Sequence, residues 1–424
     1  MSLLLKMDVT CALLAYWAAV ARAQVTVIKA GRLVAPETGT VSENQVIVVE
    51  GERIEAVGAG LEIPEGAKVI DLSHATVLPG LFDAHTHLCL NMQRQWDAGD
   101  YLVNSLNWRT GMRAITGVAH AREMLDAGFT TVRDVGNAGD YAAVDLARAV
   151  EWGMVPGPTV VAAGRIITPF GGQFAKPAPK QVLDNPEYLF ADTRDELRKA
   201  VRENVYYGAA LIKLVVDDQP YIYTAEEIRL VVEEAAAAGR KVAAHCVTRQ
   251  GARNAAAAGV ASIEHGWQLG EEEFALMKQN DVALVSTDLT PRYLEALGYT
   301  ADQARHSHAQ KVDRLRRAHR AGVRVVFGTD VTNGLPGETR GTLAVGQIDS
   351  FAAAGVPNGD TLRALTTHAA RLLGVERERG AVAPGFYADL VAVPDNPLDD
   401  IQALKRVLFV MRNGKVHRHA EARP

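Results

Sequence analysis

Cysteine is scarce in this chain, with three residues among 424. That is too few for a disulfide framework, so stability must come from a packed core. Cys11 falls in an apolar N-terminal stretch, while Cys89 and Cys246 fall in strand-like segments as expected free thiols. Positive charge is not in excess either. Lys and Arg total 45 against 50 Asp and Glu, the net charge is −5, and no basic run stands out. Nucleic acid is therefore not an expected partner. No apolar run reaches the ~20 residues that span a bilayer, so no stable membrane anchor is expected. The G-x-G-x-x-G of a dinucleotide fold is also missing behind the first barrel-type strand.

What is present is globular in character, at 48% hydrophobic and 22% charged residues. The length suits a large barrel plus a smaller module. Residues 1–23 read as a secretory signal, with Lys6, an apolar stretch from Val9 to Val20, and Ala21-Arg22-Ala23 ahead of Gln24. The expectation is a secreted or periplasmic protein, with a cytoplasmic one as the alternative. Asp8 weakens the signal, and an apolar N-terminal helix is the competing reading.

Residues 24–78 and 380–424 carry short alternating strands and turn signals, including Asn413-Gly414. Together they predict a small β-sandwich built from both termini. Residues 79–379 alternate strand and helix. Eight candidate strands run over 82–88, 130–135, 159–165, 209–216, 241–247, 262–266, 282–287 and 323–330. Capping boxes open two of the intervening helices, at Thr193 to Glu196 and Thr224 to Glu227. The pattern predicts an α/β chain with a (β/α)8 TIM-like barrel, against an open doubly wound sheet. Long connections follow the third and eighth strands, where barrels place functional loops.

The chemistry begins at "LFDAHTHLCL". Residues i and i+2 of a strand share a face, so His85 and His87 project together, roughly 7 Å apart along the chain. Alone, this pair is as compatible with ordinary buried histidines as with a metal. His245, His265 and Asp330 change the balance, because each lies where a different strand gives way to a loop. Four histidines and a carboxylate at one rim suit a divalent transition metal. Lys213 sits in the apolar run "AALIKLVVD". Burial would favour its neutral amine, which could take up carbon dioxide as a carbamate. The alternatives are a lysine that snorkels to solvent or pairs with Asp217.

Taken together, "LPGLFDAHTHL", "GFTTVRDVG", "IKL", "AAHC", "SIEHG", "GTD", "ALTTHAARLLGV" and "GAVAPGFYADLVAV" resemble the amidohydrolase superfamily, binuclear type. The similarity is nearest to its imidazolonepropionase-like and prolidase-like peptidases, a subgroup that includes ochratoxin-hydrolysing amidases. The resemblance implies two divalent ions, zinc first and manganese, cobalt or iron as alternatives. His85, His87 and Asp330 would hold one ion, His245 and His265 the other, and carboxylated Lys213 would bridge them. A bridging hydroxide would attack an amide carbonyl, with Asp330 relaying the proton to the leaving amine. A small-molecule or dipeptide substrate is implied, and a homo-oligomer by analogy with relatives.

Two stretches depart from the family pattern. "GGQF" carries Gln173 where dipeptide-cleaving relatives often have histidine, and "VVDDQPYIYT" replaces a glycine-rich loop. His368 stands where asparagine is common and reads as structural. Candidate substrate contacts are Gln173, Tyr221, Tyr223 and Arg249, with Arg292 and Arg340 as further arginines for a carboxylate. Asp83 reads either as a partner fixing a histidine tautomer or as a strand-end cap, and Glu264 and Asp134 pose open questions. "QRQWDAGDYLVNSLNW" is a candidate lid. The leading function is hydrolysis of an amide in a dipeptide or N-acyl amino acid. The alternatives are hydrolysis of cyclic amides, lactones or esters, and a non-enzymatic scaffold.

Overall fold

The computed structural model describes residues 24–136, 139–173 and 187–420. The expected signal segment, 1–23, lies outside the described residues. Four strands come first: β1 (Val25–Ala35), β2 (Thr40–Glu50), β3 (Arg53–Ala59) and β4 (Lys68–Pro79). The middle of the chain adds β5 (Leu81–Thr86), β6 (Phe129–Asp134), β7 (Thr159–Ala162), β8 (Ile166–Thr168) and β9 (Tyr188–Phe190). It continues with β10 (Leu211–Val215), β11 (Lys241–Cys246), β12 (Ser262–His265), β13 (Ala283–Val285) and β14 (Val325–Val326). The last three are β15 (Leu390–Val393), β16 (Phe409–Arg412) and β17 (Lys415–His419).

Strands from both ends of the chain form one sheet, in the order β17-β16-β15-β4-β1-β2-β3. Its edge strand β3 bonds to residues 385–388, which lead into β15, through Ile54 N to Phe386 O and Ala388 N to Glu52 O. The sandwich predicted from the sequence is thus a single sheet that closes on itself. Alternation supplies its core, because Ile28 and Ala30, Ile47 and Val49, Ile70 and Leu72, and Leu390 and Ala392 bury one face.

The barrel uses the eight strands read from the sequence. β5, β6 and β7 pair in parallel, as do β10 through β14. A bridge from Ala163 to Leu211 joins β7 to β10. Ala84 N donates to Phe327 O and Asp330 N to His85 O, which joins the last strand to the first. Helices such as Thr110–Asp126, Arg194–Tyr207 and Ala225–Ala237 alternate with the strands. The two predicted capping boxes are both formed.

Two details differ from expectation. Only Val325–Val326 of the eighth strand is ladder-paired, because the chain leaves regular pairing at Gly328. A Cβ on Gly328 would lie 2.4 Å from Val285 Cγ1 and 2.8 Å from His85 Cβ, so only glycine lets this segment approach β5 so closely. Second, the connection after the third barrel strand contains β8 and β9 rather than only loop. Ile166 and Ile167 extend the parallel sheet beside β10, an opportunity a β-branched pair takes readily.

Candidate metal centre

Four imidazoles gather at the carboxyl ends of β5, β11 and β12. Ring centroids lie 5.3 Å apart for His85 and His87, 4.9 Å for His85 and His265, and 4.5 Å for His245 and His265. Three of the rings are held through Nδ1. His85 Nδ1 meets Glu264 Oε2 at 2.7 Å, His87 Nδ1 meets the Gly136 carbonyl at 2.5 Å, and His265 Nδ1 meets Thr287 Oγ1 at 2.9 Å. This leaves each Nε2 free for a metal, the usual division of labour in a ligating histidine. His245 Nε2 is buried with no hydrogen-bond partner. It lies 3.5 Å from Asp218 Oδ2 without the alignment of a hydrogen bond.

Asp330 enters the same space. Its Oδ1 lies 3.3 Å from His87 Nε2 and 3.7 Å from His85 Nε2, and its Oδ2 lies 3.9 Å from His265 Nδ1. Ligand atoms of His85, His87 and Asp330 all fall within 4.8 Å of one another. Strand ends here turn through left-handed backbone, with φ of +67° at His265, +47° at Thr287 and +54° at Asp330. Such angles are uncommon outside glycine and concentrate where function dictates geometry.

Lys213 lies two residues before the end of β10 and is 3% exposed. It makes no hydrogen bond or ion pair among the described residues. Burial pushes its amine down to about 8, partly opposed by Glu264 and Asp330. The alternative pairing with Asp217 does not occur. That carboxylate accepts from Val247 N at 2.8 Å, Thr248 N at 2.9 Å and Thr248 Oγ1 at 2.6 Å, and so caps the next loop.

Beneath the imidazoles, Arg133 donates to both oxygens of Glu264 at 2.7 and 2.8 Å and to the Ala84 carbonyl at 2.5 Å. Burial alone would raise Glu264, but Arg133 and then His85 hold it well below the carboxylate range. His85 is pushed down to about 4, by burial first and then by Lys213, so it stays the neutral imidazole that ligates metals. Asp83 resolves differently from its first alternative. It accepts from His85 N, Thr329 N and Thr329 Oγ1, so it ties β5 to the eighth strand and leaves the tautomer to Glu264. Burial raises Asp83 to about 7. Asp134 accepts from Leu88 N and Gly136 N and shapes the loop behind His87. Arg133 was missed in the sequence reading. Its signal is the one that exposed Lys213, a cation inside an apolar strand.

The candidate substrate contacts scatter. Gln173 Nε2 donates to Asp218 Oδ2 at 3.4 Å and so stands one side chain from His245. Tyr221 is 72% exposed, whereas Tyr223 is 4% exposed with its hydroxyl donating to Ala191 O. Tyr223 therefore has no hydroxyl to offer a substrate, and buttresses the loop. Arg249 donates to Gln268 O and lies near Glu273, and Arg292 pairs with Glu338 at 2.6 Å. Arg340 is buried and donates to the carbonyls of Leu90, Val331 and Thr332, stapling the loop after β5 to the loop after β14. His368 bonds the Val325 carbonyl and is structural. In the candidate lid, Trp96 of the helix Arg94–Asp97 packs its ring 5.7 Å from that of Trp108, which follows the helix Tyr101–Asn107.

The donor set fits divalent metal. It offers imidazole nitrogens freed by Nδ1 partners, one orphaned buried nitrogen on His245, an unpaired buried amine and one carboxylate. A model of the amidohydrolase family matches residues 76–417. The chain is similar to ochratoxinase of Aspergillus niger, at 29% identity over 439 residues, covering 93% of this chain and 87% of that protein. Among solved structures it is similar to an Xaa-Pro dipeptidase with methionine bound in its active site. That match has 29% identity and a TM-score of 0.80, and covers 93% of this chain and 99% of that one. It is also similar to a prolidase complexed with N-methylphosphonate-L-proline, with 28% identity, a TM-score of 0.80, and coverage of 93% and 100%.

Proposed function

The chain belongs to the amidohydrolase family and is a hydrolase of amide bonds, and from that premise we propose that it cleaves the amide of a small dipeptide or N-acyl amino acid. His85, His87 and Asp330 would hold one divalent ion and His245 and His265 a second, with Lys213, as a carbamate, completing the donor set. Zinc is the expected metal, given imidazole, carbamate and carboxylate donors. When bound, the ions supply Lewis acidity for the scissile carbonyl and lower the pKa of a water to near neutrality.

The side chains do the rest. Glu264, anchored by Arg133, keeps His85 in one tautomer with Nε2 forward. The Asp330 side chain is 27% exposed, against 1% for His85. It is thus open to solvent on one side and placed to take the proton of the attacking water and pass it to the leaving amine. The observation that carries the reading is the meeting of His85 and His87 Nε2 with Asp330 beside the unpaired Lys213.

The test is a substrate panel on the zinc-loaded protein, with Xaa-Pro, Xaa-Arg and N-acyl-Phe compounds set against lactones and aryl esters. Turnover of the amides is expected. Turnover of lactones and esters alone would replace this reading with the cyclic-amide, lactone or ester alternative. Export would place the activity outside the cytoplasm in peptide scavenging or detoxification, and a mature N-terminus at Gln24 is the check.

A further inference from the structure

β13 ends at the same rim as the histidine strands but brings no donor to it. Its continuation, Ser286-Thr287-Asp288, is buried at all three residues. Thr287 holds left-handed backbone there, with φ +47°. A β-branched residue is a costly choice for that conformation, because two substituents on Cβ crowd the backbone. Glycine, asparagine or aspartate fills it more easily. Strain of this kind persists only where the surroundings impose it.

Here they impose it from three sides. Thr287 N donates to Gly328 O at 3.1 Å, and Ser286 N to Val326 O at 3.3 Å. Arg314, fully buried on the helix Ala301–Arg320, donates to the Ser286 carbonyl at 2.9 Å and to the Asp288 carboxylate. Ser350, on the helix Ile348–Ala354, donates its hydroxyl to the Asp288 carbonyl at 2.6 Å. Lys311 sets a second positive charge near Asp288. Even so, Arg314 Nε and Nη1 and Asp288 Oδ2 are buried without hydrogen-bond partners among the described residues. A buried ion pair left partly unsatisfied contributes little to stability. What the clamp does deliver is one hydroxyl. Thr287 Oγ1 lies 2.9 Å from His265 Nδ1, and both residues are buried.

We propose that the Arg314–Asp288 pair is a positioning device for the second ion, acting through Thr287. The pair bends Ser286–Asp288 so that the Thr287 hydroxyl accepts the Nδ1 proton of His265, which turns Nε2 toward that ion. None of the three residues touches an ion. This rests on the metal-hydrolase reading and carries it beyond the donors. Without the hydroxyl, Asp330 Oδ2, 3.9 Å from the same nitrogen, competes for the proton, and a donor of one ion is drawn toward a donor of the other.

The test is zinc competition against a chelator on the full-length protein, with urea unfolding of the zinc-free form beside it. Three forms are compared with the parent: Thr287→Val, Thr287→Ser and the double variant Arg314→Met/Asp288→Leu. Valine keeps the branched shape and removes only the hydroxyl, so one of the two zinc equivalents should bind about 10–100-fold more weakly and the other as before. Serine keeps the hydroxyl and should bind both equivalents as the parent does. In the double variant apolar groups replace the whole pair, so the urea midpoint should hold or rise, while the same zinc equivalent weakens as in the valine form. A residue set that only supported the fold would move the midpoint and leave zinc alone. The inference is overturned if the valine form or the double variant keeps both equivalents, if both equivalents weaken alike, if serine loses as much as valine, or if the double variant fails to fold. A parent that takes up no zinc sinks the hydrolase reading and this inference together. The predicted zinc pattern in a protein that cleaves no amide sinks the amidase assignment alone. An active amidase whose valine form keeps both equivalents sinks the positioning role alone.

Discussion

An amine 3% exposed, without a hydrogen bond or ion pair among the described residues, is a poor place to keep an ammonium. On the proposed reading, conversion of Lys213 to a carbamate would remove that cost and add an anionic donor for the ions. Lys213→Ala is therefore expected to lose metal and activity together, with partial recovery when short carboxylic acids are added. Metal analysis alongside the amide assay checks this, and full activity in the variant would remove the lysine from the mechanism. Glu264→Gln keeps the size of the side chain but weakens its grip on Arg133 and His85. Metal affinity should fall 10–100-fold with little change in fold, as read by competition with a chelator. At this scale most of the centre was legible beforehand. His85, His245 and His265 lie at the ends of their strands, Asp330 follows the last one, and Lys213 interrupts an apolar run. The Arg133–Glu264 pair was not legible, because it joins residues 131 apart in sequence and no local pattern announces the partner.

The eight strands followed from apolar runs alternating with helices, and the barrel closes around them. Where the strand reading slipped, the cause was a glycine and a short β-branched pair, neither of which changes the pattern of hydrophobicity. Gly328→Ala would place a methyl against His85 Cβ and Val285 Cγ1, so the last strand must move away from the first. A loss of about 1–3 kcal/mol in unfolding free energy is expected, with weaker metal binding. A denaturation curve indistinguishable from the parent's would contradict the close approach. The Arg340 staple adds a pH dependence through His120, which bonds the Leu88 carbonyl and lies beside Arg340. Burial, then Arg340, pushes His120 down to about 3. Below about pH 6.5 the unfolded chain binds a proton that the folded chain refuses. Stability from this group is thus complete above that pH and declines as pH falls toward 3. Between pH 7 and pH 5 the parent should lose about 2 kcal/mol more than His120→Gln, measured by urea unfolding.

At the scale of the molecule, strands from both ends of the chain form one closed sheet, while the long middle forms a barrel whose strand ends converge on one rim. Gln173 and Asp218, from two loops outside the barrel's ladder pairs, meet beside His245. The strand ends of that rim explain why family and reaction class could be read from short motifs. The most direct test of the central claim is a crystal structure of the zinc-loaded protein with anomalous diffraction collected at the zinc edge. The account predicts two peaks, one held by His85, His87 and Asp330 and the other by His245 and His265, with carboxylate density on Lys213 Nζ reaching both. A single ion, ions elsewhere, or a bare lysine would contradict it.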